Sequence, residues 1–289
     1  MSVQRAFLPD GRLHLQHGPI DLVIEAFGPL AEVRRAYWQA VQGFDGLLER
    51  LTLELHLLRR PLGEAPPALH GPVARRMLAA VWPFRGLYVT PMAAVAGSVA
   101  DHVLAAMLRD RRLTKAYVND GGDIAFHLTP GESFRAGLVP DLTQGAMDGL
   151  AEIPFETPVR GIATSGSGGR SLSLGIADAV TVLARDAAAA DAAATLIANA
   201  VDLPGHPEIR RAPASSLDPD SDLGDLPVTL EVGPLGDDEI GQALAVGLQR
   251  AHAMREAGHI HAAVLSLRGR FALCGTALSP ELPELTETR

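Results

Sequence analysis

Gly161-Ile-Ala-Thr-Ser-Gly-Ser-Gly-Gly-Arg170, then Ala179-Val-Thr-Val-Leu-Ala184, then Ala187-Ala-Ala-Ala-Asp-Ala-Ala-Ala-Thr-Leu-Ile-Ala-Asn199 is the stretch around which the chain organises itself. The first segment concentrates hydroxyls and glycines. Glycine lets a backbone come close to a ligand, and unpaired N–H groups in such a loop suit a phosphate. On its own the segment reads equally as a flexible loop or as an anion-binding nest. The second segment is an apolar run of strand length. The third is an alanine-rich helix in which Asp191 and Thr195, four residues apart, share a face. Two hard oxygens placed this way suit Mg²⁺. The competing local reading is a packed helix with Asp191 in its first turn, where a carboxylate complements the helix dipole.

Working outward, strands and helices are interspersed. Gly11–His17 alternates apolar and polar residues, Gly18-Pro marks a turn, and Ile20–Phe27 is a second strand-like run. Helical periodicity covers about Pro29 to Arg60, with interruptions expected at Gly43 and Gly46. Further helices are expected over Val73–Val81, Ala93–Leu108 and Asp237–Glu256. In Ala93–Leu108 the small residues Ala94, Gly97 and Ala100 permit close packing. Ala116-Tyr-Val-Asn119 reads as a buried strand ending in the turn Asn119-Asp-Gly-Gly-Asp123. Ile124–Leu128 and Ser133–Leu138 are expected to form a hairpin through Pro130-Gly131, and 203–227, rich in Pro, Asp and Ser, a long surface loop. Strands at His261–Leu267 and Arg270–Leu273 follow. Strands clustered with intervening helices imply an α+β layered fold with antiparallel or mixed sheets packed by helices. The expected organisation is one domain over residues 1–277, with two intertwined lobes as a variant, and a frayed tail at 278–289.

Composition narrows the function classes. The chain has 289 residues, 47% of them apolar and 20% charged, enough for a sizeable core and too apolar for general disorder. A net charge of −9 argues against a nucleic-acid partner, which requires a basic face. The single cysteine, Cys274, excludes an internal disulfide and a cysteine metal cluster, and its strand-like surroundings suggest a buried thiol. The N-terminal residues contain no apolar signal core, and no long uncharged apolar span is expected elsewhere. These features imply a cytoplasmic protein without a membrane partner.

The common catalytic templates fail on Ala163–Gly169. No Gly-Lys-Ser/Thr follows, neither Ser165 nor Ser167 has glycine two residues before it, and position 171 is serine where a dinucleotide fingerprint needs glycine. Asn119–Asp123 reads locally as a tight turn whose Asn and Asp side chains fix the loop or meet a ligand. His259 and His261, with His252 one helix away, share a strand face but lack a companion carboxylate or cysteine set, which favours ordinary strand histidines over a metal site.

In order, Asn119-x-Gly-Gly-Asp123, Ala163-Thr-Ser-Gly166 and Ala190-Asp191 with Thr195 resemble the ApbE family of flavin transferases, which cleave FAD with Mg²⁺ and attach FMN to a threonine of a protein acceptor. The similarity covers roughly residues 85–200. It implies a flavin pocket carried by Asn119, Gly121, Gly122, Asp123, Thr164, Ser165 and Gly166, and metal ligands at Asp191 and Thr195. Upstream, Ala93–Asp101 is similar to the family helix that begins Gly-Ala-x-Ala-Lys-Gly and ends in Asp, matched at Gly97 and Asp101, with Ala96 in the lysine position. Where the transferases carry His-x-x-Asp-Pro-x-Thr-Gly, this chain has Ser167-Gly-Gly-Arg-Ser-Leu-Ser-Leu-Gly-Ile-Ala-Asp-Ala179. That departure fits a shorter, cytoplasmic, uncharacterised ApbE-like branch that binds FAD, FMN or another nucleotide or phosphate ligand, with Mg²⁺. An active Mg²⁺-dependent FMN transferase or FAD pyrophosphate-cleaving enzyme is the second expectation and a structural scaffold the third. The catalytic residues stay unassigned, and a second copy of the chain, as a homodimer, is the expected protein partner.

Overall fold

The structure, a computed structural model, describes residues 3–138, 149–169 and 171–275. Three strands open the chain: β1 (Gln4–Phe7), β2 (Leu13–His17) and β3 (Ile20–Phe27). Buried and part-exposed residues alternate along β2 and β3, so the pattern read from the sequence is that of antiparallel strands with one face on a core. Helices α1 (Leu30–Phe44), α2 (Leu47–Leu58), α3 (Pro72–Val81) and α4 (Val95–Leu108) follow. Asp45 and Gly46 break the first two apart, and Gly46 takes the left-handed φ of +64° that a side chain disfavours. Gly43 does not interrupt α1. Its missing side chain instead admits Ala106 of α4.

The chain then returns to the sheet through β4 (Lys115–Asp120) and β5 (Asp123–Leu128), leaves it for β6 (Ser133–Leu138) and β7 (Gly149–Pro154), and re-enters through β8 (Gly161–Ser165) and β9 (Ala179–Ala184). Helix α5 (Ala187–Ala200) comes next. The ribbon β10 (Ile209–Pro213) and β11 (Pro227–Val232) flanks the short α6 (Ala214–Leu217). Helix α7 (Asp237–Glu256) and the hairpin β12 (Ala262–Leu267) and β13 (Arg270–Cys274) complete the described chain. Nine strands form one sheet in the order β1-β2-β3-β4-β5-β8-β9-β12-β13, each pair antiparallel. The fold is α+β, as expected.

Strand β9 is buried at all six positions because both sheet faces are covered there. On one face Val180 and Val182 meet the alanines of α5, and on the other Leu183 joins Phe126, Phe134, Ile153 and Ile162 under the β6–β7 pair. Helix α4 packs between α1 and α5. Two glycines let α5 lie so close. A Cβ on Gly161 would fall 2.0 Å from the carbonyl carbon of Asp186, and one on Gly97 would fall 2.3 Å from the Ala187 carbonyl oxygen.

Several expectations change. Residues 161–165 form a strand in the middle of the sheet, so only 166–169 of the glycine-rich stretch turn away from it. Strands β5 and β6 do not form a hairpin. The turn at Thr129–Glu132 lifts the chain out of the sheet, Phe134 stacks on Phe126 with centroids 4.6 Å apart, and β6 pairs with β7 across the sheet face. The segment 203–227 is not all loop, since it holds β10, α6 and the start of β11. Among the described residues one helical span, Pro91–Leu108, is long and apolar enough by composition to cross a membrane, with 18 residues at a mean hydropathy of 1.4. It includes the buried Asp101 and packs as a core helix between α1 and α5. The tail expected at 278–289 lies outside the described residues.

Candidate functional site

The turn Gly121-Gly122 joins β4 to β5 as a two-residue hairpin, with Asp120 opposite Asp123 and φ of +65° and +117° at the two glycines. The Asn119 side-chain oxygen accepts the Gly122 N–H at 2.8 Å and fixes the turn. This hairpin places Asp123 at the same end of the sheet as Ser165, the last residue of β8. The Asp123 carboxylate accepts the Thr164 N–H at 3.3 Å. Strand alternation sends Thr164 and Ser165 to opposite faces, and the Thr164 hydroxyl bonds that of Thr181 at 2.9 Å.

Helix α5 supplies the facing wall. Its first four N–H groups are all satisfied. Asp101 of α4 accepts those of Ala187 and Ala188 at 3.2 and 3.0 Å, and Asp186 accepts that of Ala189 at 2.8 Å through its side chain and that of Ala190 through its carbonyl. Burial and the neighbouring Asp186 push the Asp101 pKa up to about 6, against the lowering pull of the two N–H bonds and Arg76. The carboxylate that meets the dipole is therefore not Asp191, which sits in the second turn.

Asp191, Thr195 and Asn199 form one stripe along α5 and line a cavity of about 370 Å³ together with Asp123 and Ser165. The Gly97 N–H donates to Asp191 Oδ2 at 3.0 Å, so the same glycine that admits α5 also orients the carboxylate. Burial raises the Asp191 pKa well above the ordinary carboxylate range; the Gly97 bond opposes this and the negative charge of Asp120 adds to it. Asn199 accepts the Leu174 N–H at 3.1 Å and pins the cavity wall behind it.

The remaining wall includes Ala93, Val95 and Ala96 from the segment similar to the family helix, and Arg59, Tyr88, Thr90, Met92 and an acidic stretch from Asp218 to Leu223, which carry no sequence motif. Among the described residues, five carboxylates (Asp123, Asp191, Asp218, Asp220 and Asp222) face one guanidinium, and no histidine lines the space. An anionic ligand would meet net negative charge unless a cation accompanied it.

The sequence-predicted residues thus divide by role. Asp123, Ser165, Asp191 and Thr195 line the cavity, and Gly97 braces it. Asn119, Gly121 and Gly122 build its hairpin. The Thr164 hydroxyl lies on the other sheet face. Gly166, at φ +152°, packs against the Asp178 carbonyl. The N–H groups of Ser167, Gly168 and Gly169 donate to the carbonyls of Ala177, Asp178 and Gly166, so they form no nest of unpaired donors. The histidines do not cluster: His252 faces Cys274 Sγ at 3.5 Å and His259 meets the Phe84 ring. Cys274 is a buried thiol, as expected. Among the described residues no three His, Cys, Asp or Glu side chains come together as a metal cluster.

Curated relatives carry the description UPF0280 protein. One from Methanosphaerula palustris is 40% identical over 134 residues, 46% of this chain and 54% of the relative, and one from Methanothrix thermoacetophila is 38% identical over 160 residues, 55% and 61%. The chain spans about half to three fifths of these relatives' length. Among solved structures, the flavin transferase ApbE from Vibrio cholerae aligns over 96% of this chain and 98% of its own, with 13% identity and a TM-score of 0.46. The ApbE protein of Thermotoga maritima aligns over 95% and 96%, with 12% identity and a TM-score of 0.44. The family model described as "AbpE bacteria" matches residues 5–273, almost the whole chain, and the protein belongs to this ApbE-like family.

Proposed function

We propose that the cavity between α5 and the end of the sheet binds a flavin or another nucleotide carrying a diphosphate, together with Mg²⁺. The observation that supports this most is the convergence of Asp191, Thr195, Asp123 and Ser165, drawn from three separate sequence segments, on one cavity of about 370 Å³. The donor set suits the ion. One carboxylate and one hydroxyl four residues apart are hard oxygen ligands, and Mg²⁺ keeps several waters and phosphate oxygens rather than a full protein cage. Bound there, the ion would neutralise diphosphate charge that the surrounding carboxylates otherwise repel. Asp191 and Thr195 would hold it, Gly97 would orient Asp191, and Asp123 and Ser165 would line the ligand.

Binding is the primary reading because the interval between Ser167 and Ala179 lacks the His and Asp-Pro of the transferases, and among the described residues no histidine lines the cavity. Cleavage of FAD with FMN transfer is the second reading, supported by the retained Asp191 and Thr195 pair.

Titration with FAD, in the presence and absence of Mg²⁺, tests both. The expected result is Mg²⁺-dependent binding without AMP release, with the Mg²⁺ dependence lost in Asp191→Ala. No binding of FAD or ADP at millimolar Mg²⁺ would overturn the proposal. Steady AMP release would replace the binding reading with the transferase one.

A further inference from the structure

One wall of the cavity is a strap that reaches across it from the opposite rim. The ribbon β10–β11 is anchored beside residues 173–174: the Thr229 N–H donates to the Ser173 carbonyl at 2.9 Å, and the Arg211 guanidinium donates to the Leu174 carbonyl at 2.5 Å and pairs with Asp202. From there the chain runs out to a tip at Asp218–Leu223. The tip is braced internally, since the Ser215 N–H donates to the Gly224 carbonyl at 2.7 Å and the Ala214 N–H to the Leu226 carbonyl at 3.0 Å. It therefore behaves as one small rigid body on a two-stranded arm.

The far side of the tip is held to the other rim by very few polar contacts. The Thr90 hydroxyl donates to Asp222 Oδ2 at 2.5 Å, the Tyr88 hydroxyl donates to the Asp222 carbonyl at 2.9 Å, and Arg59 pairs with Asp220 at 3.7 Å. Thr90 is buried, and its hydroxyl also accepts the Met92 N–H, so the rim side of this latch is fixed. The strap side is less so: Ser216–Asp220 are exposed and Ser221–Gly224 only half-buried, and the Arg59–Asp220 pair is solvent-facing and contributes little.

We propose that residues 214–226 are a hinged lid over the cavity, latched by the Asp222 carboxylate on the Thr90 hydroxyl and by the Tyr88 hydroxyl on the Asp222 carbonyl. Release of those two bonds lets the tip swing on the β10–β11 arm and opens the way to Asp191 and Thr195. The inference rests on the cavity being the ligand site, and its test uses no nucleotide.

A Ser165→Cys variant puts a reporter thiol in the cavity wall, and the native buried Cys274 serves as an internal control. Alkylation of both by iodoacetamide is followed by peptide mass spectrometry in the full chain. Adding Tyr88→Phe or Asp222→Ala is expected to accelerate modification of the introduced thiol by about fivefold for each hydrogen bond lost, with no change at Cys274. Thr90→Ser, which keeps the hydroxyl, should leave both rates unchanged. Equal rates with and without the latch substitutions would overturn the lid, as would acceleration at both thiols, which signals general loosening. Tyr88→Phe removes a single hydroxyl and keeps the test valid if Asp222→Ala folds poorly. Failure of FAD to bind would leave these rates untouched, so the two proposals fail separately.

Discussion

Gly97 carries two duties on one backbone unit. Its missing side chain lets α4 approach α5, and its N–H orients the Asp191 carboxylate. Gly97→Ala forces a methyl against the Ala187 carbonyl, an overpacking that costs about 1–3 kcal/mol. The urea midpoint should fall accordingly, and Mg²⁺-dependent FAD binding should weaken further than Asp123→Ala weakens it. An unchanged midpoint would mean the helices part easily. That Asp191 and Thr195 share a face was legible from their spacing, because i and i+4 on a helix do so whatever the helix packs on. Thr164 was not. Its hydroxyl leaves the cavity because 161–165 is a strand, and the glycines that made the segment look like a loop are there for close approach to α5. Tyr88 and Thr90 come from an unpatterned segment and Arg59 from the end of a helix, and only the tertiary fold brings them to the site.

Helix α5 is almost all alanine on its buried sides, so its hold on the sheet depends less on side-chain bulk than on how its N-terminus is fixed. Two aspartates from different elements do this, and one of them is abnormally basic. The Asp101 pKa is raised from 3.8 to about 6 in the folded protein. A carboxylate with a raised folded pKa contributes stability below its unfolded pKa, and that contribution is lost as pH rises through the folded value. Asp101→Asn removes the titration. The urea-midpoint difference between variant and wild type should therefore move in favour of the variant between about pH 4 and pH 7; a pH-independent difference would refute the burial argument. The elements most readable in the sequence are those with a sustained period, β2, β3, α3 and α7, and the unbroken apolar run of β9. The β10–β11 ribbon was hidden by its prolines and aspartates, since Pro213 and Pro227 sit at strand ends where a missing N–H costs nothing. The local pattern pairs β6 with β5 and gives no sign of β7, because the stacking of Phe134 on Phe126, which lays β6 over the sheet, leaves no mark in it.

For the molecule as a whole, a ligand bound between α5, the sheet end and the strap touches elements from residues 59 to 223, so its binding energy is shared across the fold. At one hundred times its dissociation constant such a ligand contributes about 2.7 kcal/mol. With FAD and Mg²⁺ together, the thermal midpoint should rise by about 4–5 °C, and with either alone by much less. A rise with FAD that is indifferent to Mg²⁺ would remove the metal from the site. The α+β class and the alternation of strands with helices were visible before the structure because they rest on local periodicity. The strand order was not, because β5 meets β8 only after the β6–β7 excursion.

Another such excursion separates β9 from β12, which are neighbours in the sheet although α5, the strap and α7 lie between them in the chain. During synthesis β9 must therefore wait, an apolar strand with one open edge, until the last hairpin leaves the ribosome. Until then its unpaired backbone is a template for any passing strand. A chain that stops before Ala262 loses its edge protection along with its final strands, and intermolecular pairing at β9 is its natural fate.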